Sequence, residues 1–235
     1  KFKEIKGNSK YVNVYTLDNG TYSRGLAFKD NKFTPDRLKS YDNENLGGGG
    51  NGLYIIGYEQ PINKFKEEYI QTPNVRTEKD ESYKKGHKLK NEVKNVVLHH
   101  TAYTNPDTNE EEVKKQYMTP GANTSHVVIQ ENGKRTVYGS PEQVTFHAGE
   151  SKWNGRDNVN DFSIGVEFQG DTNKKPLTQA QIESFVEYYA PIAKKYNLSL
   201  KDIITHQMIA PGRKPDITQK EYKRVLKYMQ DMGYK

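Results

Sequence analysis

The sequence contains no cysteine among its 235 residues. That excludes a disulfide scaffold, a Cys-based zinc finger, an iron–sulfur site and a thiol nucleophile, so any metal chemistry must use His, Asp and Glu. No run approaches the roughly 18 apolar residues of a membrane-spanning helix. Apolar residues are scarce overall, at 33%, and the mean hydropathy is -1.00. Aromatics are not scarce: 17 Tyr and 8 Phe are too many for a disordered polyelectrolyte. There is no Arg-rich stripe and no RNA-binding aromatic signature, so a nucleic-acid partner is not expected. The chain starts at Lys1 without Met and without an apolar signal region, which reads as a processed or truncated form and is compatible with a removed export signal.

The formal net charge is +6 with a pI near 9.1. Residues 1–90 carry 17 Lys/Arg against 12 Asp/Glu, an excess of +5, and the remainder carries 19 against 18, an excess of +1. A mildly basic N-terminal part suits an anionic partner such as a cell wall or a membrane surface. The same charges also serve plain solubility.

Length allows one or two units, and the texture of the chain divides near residue 90. Residues 1–60 read as strands and turns. Tyr11 to Leu17 is β-branched and aromatic and ends in Asp18-Asn19-Gly20, a hairpin signal. Gly47 to Gly52 reads as a loop before the strand Leu53–Tyr58, because no phosphate-binding Lys-Ser/Thr pair or helix follows it. Residues 71–92 are polar and charged and read as a linker or a surface-wrapping segment, with His87 solvated among lysines. Beyond it, Val93–Leu98, Ser125–Gln130, Lys134–Tyr138 and Ser163–Phe168 read as strands, and Gly165 suggests close backbone packing. Pro106–Met118 reads as a helix. Thr178-Gln-Ala-Gln181 and Thr218-Gln-Lys-Glu221 look like capping boxes opening two more helices. In the first, Ile182, Phe185, Val186, Tyr189 and Ala193 follow helical spacing, with a kink expected at Pro191; in the second, Tyr222, Val225, Leu226 and Met229 do. The expectation is an α/β fold for residues 91–235, a mixed central sheet flanked by helices, preceded by a β-rich extension over residues 1–90.

Five of the six His lie between 87 and 147, and the sixth is His206. His99 and His100 end an apolar strand, where side chains reach a sheet rim, and only one of the two can join a given site because neighbours point to opposite faces. His206 follows a second apolar run and precedes a loop ending in Asp216. Two His and one carboxylate from separate segments would leave zinc an open fourth position, the catalytic arrangement. Spacing alone does not separate this from a set of unrelated polar residues.

Four blocks taken together resemble a known family: VVLHHTA (96–102), FHAG (146–149), NDFSIGVEFQG (160–170) and HQMIAPGRKPD (206–216). They are similar to the zinc-dependent N-acetylmuramoyl-L-alanine amidases (Amidase_2). That superfamily also holds the phage lysozyme-type amidases and the peptidoglycan recognition proteins. The likeness is greatest to the bacterial anhydro-muropeptide amidase branch and covers about residues 93–235. The resemblance implies an amidase/peptidoglycan-recognition-like fold and a Zn2+ cofactor bound by His99, His206 and Asp216. It implies Glu167 as the residue that handles the proton of the attacking water, and Lys214 as the stabiliser of the developing oxyanion. His100, His147, Trp153 and Arg156 are implied as substrate contacts, His147 with an orienting role equally open, and His126 as structural. Relatives that read meso-diaminopimelate are expected to carry Arg two residues before Asn160, where this chain has Asn158.

The expected activity is hydrolysis of the amide between N-acetylmuramic acid and the L-alanine of the stem peptide, with peptidoglycan or a muropeptide as partner. The competing reading is a non-catalytic peptidoglycan-binding module of the same fold. The expected location is the cell envelope or outside the cell, periplasmic in a Gram-negative bacterium, with the cytoplasm as the alternative.

Overall fold

The computed structural model describes the segments 12–18, 21–26, 28–29, 32–33 and 53–58, then residues 64–103 and 106–235. The chain divides into two compact units, Lys1–Lys64 and Phe65–Lys235.

In the first unit, β1 (Val12–Asp18), β2 (Thr21–Leu26) and β5 (Leu53–Tyr58) form an antiparallel sheet in the order β2-β1-β5. Asp18 pairs with Thr21 across Asn19-Gly20, where a hairpin is expected. Strands β3 (Phe28–Lys29) and β4 (Lys32–Phe33) form a second antiparallel pair. The loop expected at Gly47–Gly52 lies outside the described residues.

The second unit is built on a six-stranded mixed sheet in the order β13-β7-β12-β8-β9-β6. Its strands are β6 (Glu67–Tyr69), β7 (Asn95–His100), β8 (Val127–Ile129), β9 (Arg135–Val137), β12 (Ser163–Phe168) and β13 (Ile203–Thr205). Strands β13, β7, β12 and β8 run parallel, and β8 turns back antiparallel into β9. A short ribbon, β10 (Lys152–Trp153) with β11 (Arg156–Asp157), lies apart from this sheet.

Strand alternation sorts the two faces of the sheet. Leu98, Val127, Ile129, Ile164, Val166 and Phe168 pack in one core with Ile182, Phe185 and Tyr189 of the helix α3 (Gln179–Tyr196) and Val225 and Met229 of α5 (Gln219–Asp231). The alternate residues face the other way. Val97 and Ile204 join Val159, Phe162 and Ile209, while Val128 meets Val113 and Tyr117 of α2 (Pro106–Met118). A strand that is buried on both faces leaves no solvated side for a charge, which makes Glu167 in β12 conspicuous.

Three sequence expectations are narrowed or corrected. Residues 71–92 follow the surface-wrapping alternative and not the linker one. Strand β6 pairs with β9, and Arg76 is buried in an ion pair with Asp161 while donating to the Lys88 carbonyl at 2.7 Å. Residues 65–90 therefore belong to the same compact unit as the rest of the chain that follows. His87 is half-exposed but engaged, with Nδ1 2.8 Å from Asn158 Nδ2 and 3.3 Å from Asp161. Finally, only the first capping box forms. Thr178 caps α3 with Gln181, whereas Glu221 is buried and accepts from Leu177 N–H at 2.9 Å and from Arg224 at 2.6 Å, leaving Thr218 without a side-chain cap bond. Helix α3 runs through Pro191 as one element.

No helix among the described residues is long and apolar enough to cross a membrane.

Candidate metal centre

The parallel strands all end on the same edge of the sheet, and the chemistry-bearing residues sit there, as the carboxyl ends of parallel strands commonly provide. His99 is the fifth residue of β7. Glu167 is its register partner on β12. β13 ends at Thr205, whose hydroxyl caps the helix α4 (His206–Ile209) by accepting from Met208 N–H at 3.3 Å, so His206 is set at the start of a helix directly off the sheet. The loop that follows is closed by Gln207 N–H donating to the Asp216 carbonyl at 2.7 Å, which returns the Asp216 side chain to His206.

His99 Nδ1 and His206 Nδ1 are 2.9 Å apart, and Asp216 Oδ2 lies 3.4 Å from the first and 3.1 Å from the second. All three side chains are buried, and one donor atom from each lies within 4.8 Å of the others. His206 Nε2 faces the Ala148 carbonyl at 3.2 Å. A carbonyl only accepts, so Nε2 carries the proton and Nδ1 presents a lone pair. Two imidazole nitrogens and a carboxylate converging without enough protons to share is a donor set that fits a divalent cation with open coordination.

The electrostatics agree. Burial lowers the His99 pKa to about 4, keeping the ring neutral, the form that ligates. Burial alone would raise the Asp216 carboxyl, but the adjoining His206 and His99 rings more than offset it and hold it well below the usual carboxylate range. Burial, with Asp216 nearby, pushes Glu167 up to about 8 against the pull of Lys214. Glu167 Oε2 is buried without a hydrogen-bond partner. Lys214 is half-buried, and its positive charge acts on both His99 and Glu167.

The remaining expected site residues are more committed to the protein itself. His100 Nδ1 accepts from Thr172 N–H at 3.1 Å and lies 2.9 Å from Thr172 Oγ1. Arg156 pairs with Glu92 at 2.7 Å and stacks over Phe162, 4.3 Å from the ring centroid. Trp153 is half-buried against the cluster containing Val97 and Ala148. His147 is buried, with Nδ1 3.0 Å from His99 Nε2 and Nε2 3.2 Å from Ser163 Oγ. His126 is structural: its Nδ1 accepts from Gly165 N–H at 3.0 Å, and its Nε2 is 2.9 Å from the Gln143 carbonyl. Asn158, in place of the expected Arg, donates to Asp161 at 2.7 Å. Sequence reasoning missed Arg213, whose Nη2 donates to the carbonyls of Ala148 at 2.9 Å and Glu150 at 2.6 Å, and Ser163 beneath His147. Neither carries a signal of its own in the sequence, since an Arg in a polar loop and a Ser in a strand are commonplace.

A mixed sheet carrying a His-His-Asp cluster that could hold a metal ion, with Glu167 beside it, is the kind of arrangement that metal-dependent hydrolases use. Residues 89–219, more than half of the chain, match the N-acetylmuramoyl-L-alanine amidase family, and the chain belongs to that family. It is 40% identical over 94 residues to the 1,6-anhydro-N-acetylmuramyl-L-alanine amidase AmpD of Haemophilus influenzae, covering 40% of this chain and 50% of that protein. It is 29% identical over 138 residues to the N-acetylmuramoyl-L-alanine amidase AmiD of Escherichia coli, covering 53% of this chain and 48% of that protein. The chain thus spans about half the length of the curated relatives it matches. A crystal structure of a selenomethionine AmpD derivative superposes with a TM-score of 0.54 at 19% identity, covering 68% of this chain and 94% of that one, and shares its fold.

Proposed function

We propose that the protein hydrolyses the amide joining the lactyl group of N-acetylmuramic acid to the L-alanine of the stem peptide, with zinc held by His99, His206 and Asp216. The observation that carries this reading is the convergence of those three donors beside the Glu167 carboxyl, which has one oxygen buried without a hydrogen-bond partner and a pKa raised to about 8. A zinc ion held by these three residues would supply Lewis acidity, to polarise the scissile carbonyl and bring the pKa of water toward neutrality. Glu167 accepts the proton of the attacking water through its unpartnered oxygen and delivers it to the leaving amine. A raised pKa is what lets one carboxyl act as base and then as acid near neutral pH. Lys214 holds a positive charge against the oxyanion that develops on the carbonyl. Of the four expected substrate contacts, Trp153 keeps an exposed edge, while His100, Arg156 and His147 would meet substrate only by giving up partners within the protein. An intact donor set with Glu167 and Lys214 close by favours an enzyme over a binding module.

Either peptidoglycan or soluble muropeptides supply this bond. The basic residues 1–90, carrying +5 of the +6 charge, support work on an anionic wall in the cell envelope or outside the cell. Incubation of the zinc-loaded protein with purified sacculi and with soluble muropeptides, followed by mass spectrometry, tests the reading. Stem peptides with a free L-alanine amine and a freed muramoyl carboxylate are expected. Intact muropeptides, or cleavage at any other bond, would overturn it.

A further inference from the structure

We propose that His147 and Ala148 form a single positioning element that orients both histidines of the metal centre: the His147 ring accepts the N–H of His99, and the Ala148 carbonyl accepts the N–H of His206. This rests on the zinc reading above and explains how the donor set is held before any metal arrives.

The polarity of the hydrogen-bond chain can be read from its far end. Ser163 Oγ lies 2.6 Å from the Val159 carbonyl, which can only accept, so the hydroxyl proton points there. Ser163 Oγ must then accept from His147, 3.2 Å away, which puts the His147 proton on Nε2. His147 Nδ1 is left as an acceptor, and His99 Nε2 at 3.0 Å must donate to it. The His99 proton is thereby fixed on Nε2, and its Nδ1 lone pair is directed at His206 and Asp216. One residue further on, the Ala148 carbonyl does the same for His206 at 3.2 Å. Metal-binding histidines usually have their second nitrogen fixed by a carboxylate, a carbonyl or water. Here a neutral imidazole does that for one ligand, which avoids placing another buried anion beside Asp216 and Glu167.

The element is itself braced on all sides. Asn160 Oδ1 accepts from the backbone N–H groups of both His147 and Ala148, at 3.0 and 2.9 Å. Arg213 donates to the second lone pair of the Ala148 carbonyl at 2.9 Å. The His147 ring lies against β12 only because residue 165 has no side chain: a Cβ on Gly165 would lie 2.4 Å from His147 Cγ. Gly165 has no positive φ, so what the site uses is its missing volume and not its backbone freedom.

The test is zinc affinity of the full chain by chelator competition, with the absorption spectrum of the cobalt-substituted protein as a second readout. His147→Phe keeps a planar ring in the slot but removes the acceptor. Zinc Kd is expected to rise about 10- to 100-fold with an altered cobalt spectrum, while the metal-free protein keeps its circular dichroism. His147→Gln, whose amide oxygen can accept from His99, should recover part of the loss. A parent-like Kd and cobalt spectrum in His147→Phe would overturn the proposal. Should that variant not fold, Ser163→Ala decides: it frees the His147 proton to move to Nδ1, and zinc binding as tight as in the parent overturns the proposal, whereas weaker binding supports it. A parent protein that binds no zinc would overturn the metal reading itself, an outcome distinct from tight binding in every variant.

Discussion

Glu167 and His99 are register partners on the adjacent parallel strands β12 and β7, so their side chains leave the sheet on the same face at neighbouring positions. The pairing turns two separate sequence blocks into one site without any loop having to fold over it. It also explains the electrostatic state of Glu167: the carboxyl is desolvated beside the sheet and shares its surroundings with the Asp216 charge.

Glu167→Gln should therefore separate proton handling from metal binding. Gln keeps the size of the side chain but cannot take the proton of water. Zinc content should stay at about one per chain, while turnover falls roughly a hundred- to ten-thousand-fold. Zinc analysis beside turnover on a muropeptide checks both arms. Loss of zinc, or near-parent turnover with zinc bound, would show that Glu167 is not the base.

The same carboxyl makes a prediction about pH in the metal-free protein. Its pKa is about 8 when folded against an ordinary value of 4.5, so the folded state holds the proton that the unfolded state releases. Between those values the unfolded chain binds fewer protons, and stability must fall as pH rises, by up to about 1.4 kcal/mol per pH unit from this group. Burial of His99 acts oppositely, with stability gained as pH rises from about 4 to its ordinary 6.5. The difference between parent and Glu167→Gln isolates the first effect. Urea unfolding with chelator present should show the variant gaining on the parent from roughly pH 5 to pH 8. A pH-independent difference would contradict the raised pKa.

Removing a donor should have a different signature. In Asp216→Ala or His206→Ala, two remaining side chains hold zinc poorly, so metal and activity should disappear together and added zinc should restore little. Chelator treatment of the parent should also abolish turnover, but reversibly. A fully active parent shown to be metal-free would end the zinc mechanism.

Lys214→Met keeps the aliphatic length and removes the charge. Lys214 is not among the donors, so zinc should remain, and turnover should fall roughly a hundred-fold or more through loss of oxyanion stabilisation. The check is kcat and KM with zinc measured on the same sample; a change in KM alone would assign Lys214 to ground-state binding.

How much of this was legible in the sequence depends on whether the signal was local. The helix Pro106–Met118 and the strand Ser163–Phe168 match their expected ranges because local composition marks them, a Pro at the first helical position in one and β-branched apolar residues in the other. The His99, His206 and Asp216 set could be named only through the resemblance, since spacing alone could not show that three segments meet. The second capping box failed because Glu221 found a buried partner in Leu177 N–H, a tertiary contact that outcompetes a local one. The linker reading of residues 71–92 failed similarly. A polar segment with few aliphatics looks solvated, yet Thr72, Asn74 and Arg76 are buried through hydrogen bonds and ion pairing, which hydrophobic patterning does not report.

That failure sets the last prediction, which concerns where the chain can be cut. A chain beginning near Asn91 would lose β6, whose Glu67 pairs with the buried Arg135 at 2.5 Å, and would lose Arg76 from Asp161. Arg135 keeps Glu187 at 2.9 Å, but the buried Asp161 loses its Arg76 partner, and stripping one partner from a buried ion pair costs roughly 3–5 kcal/mol because a charge is left without compensation. Arg76 also stacks over Phe146, 5.5 Å from the ring centroid, directly before His147. Its loss should loosen the loop that orients the metal ligands. A chain beginning at Phe65 keeps all of these contacts. It should fold, bind zinc as the full chain does and cleave soluble muropeptides, whereas the chain from Asn91 should be insoluble or markedly less stable. Thermal unfolding and zinc Kd for the two truncations decide the matter: equal Tm and equal affinity would mean that residues 65–90 are dispensable decoration on a catalytic unit that starts near residue 91.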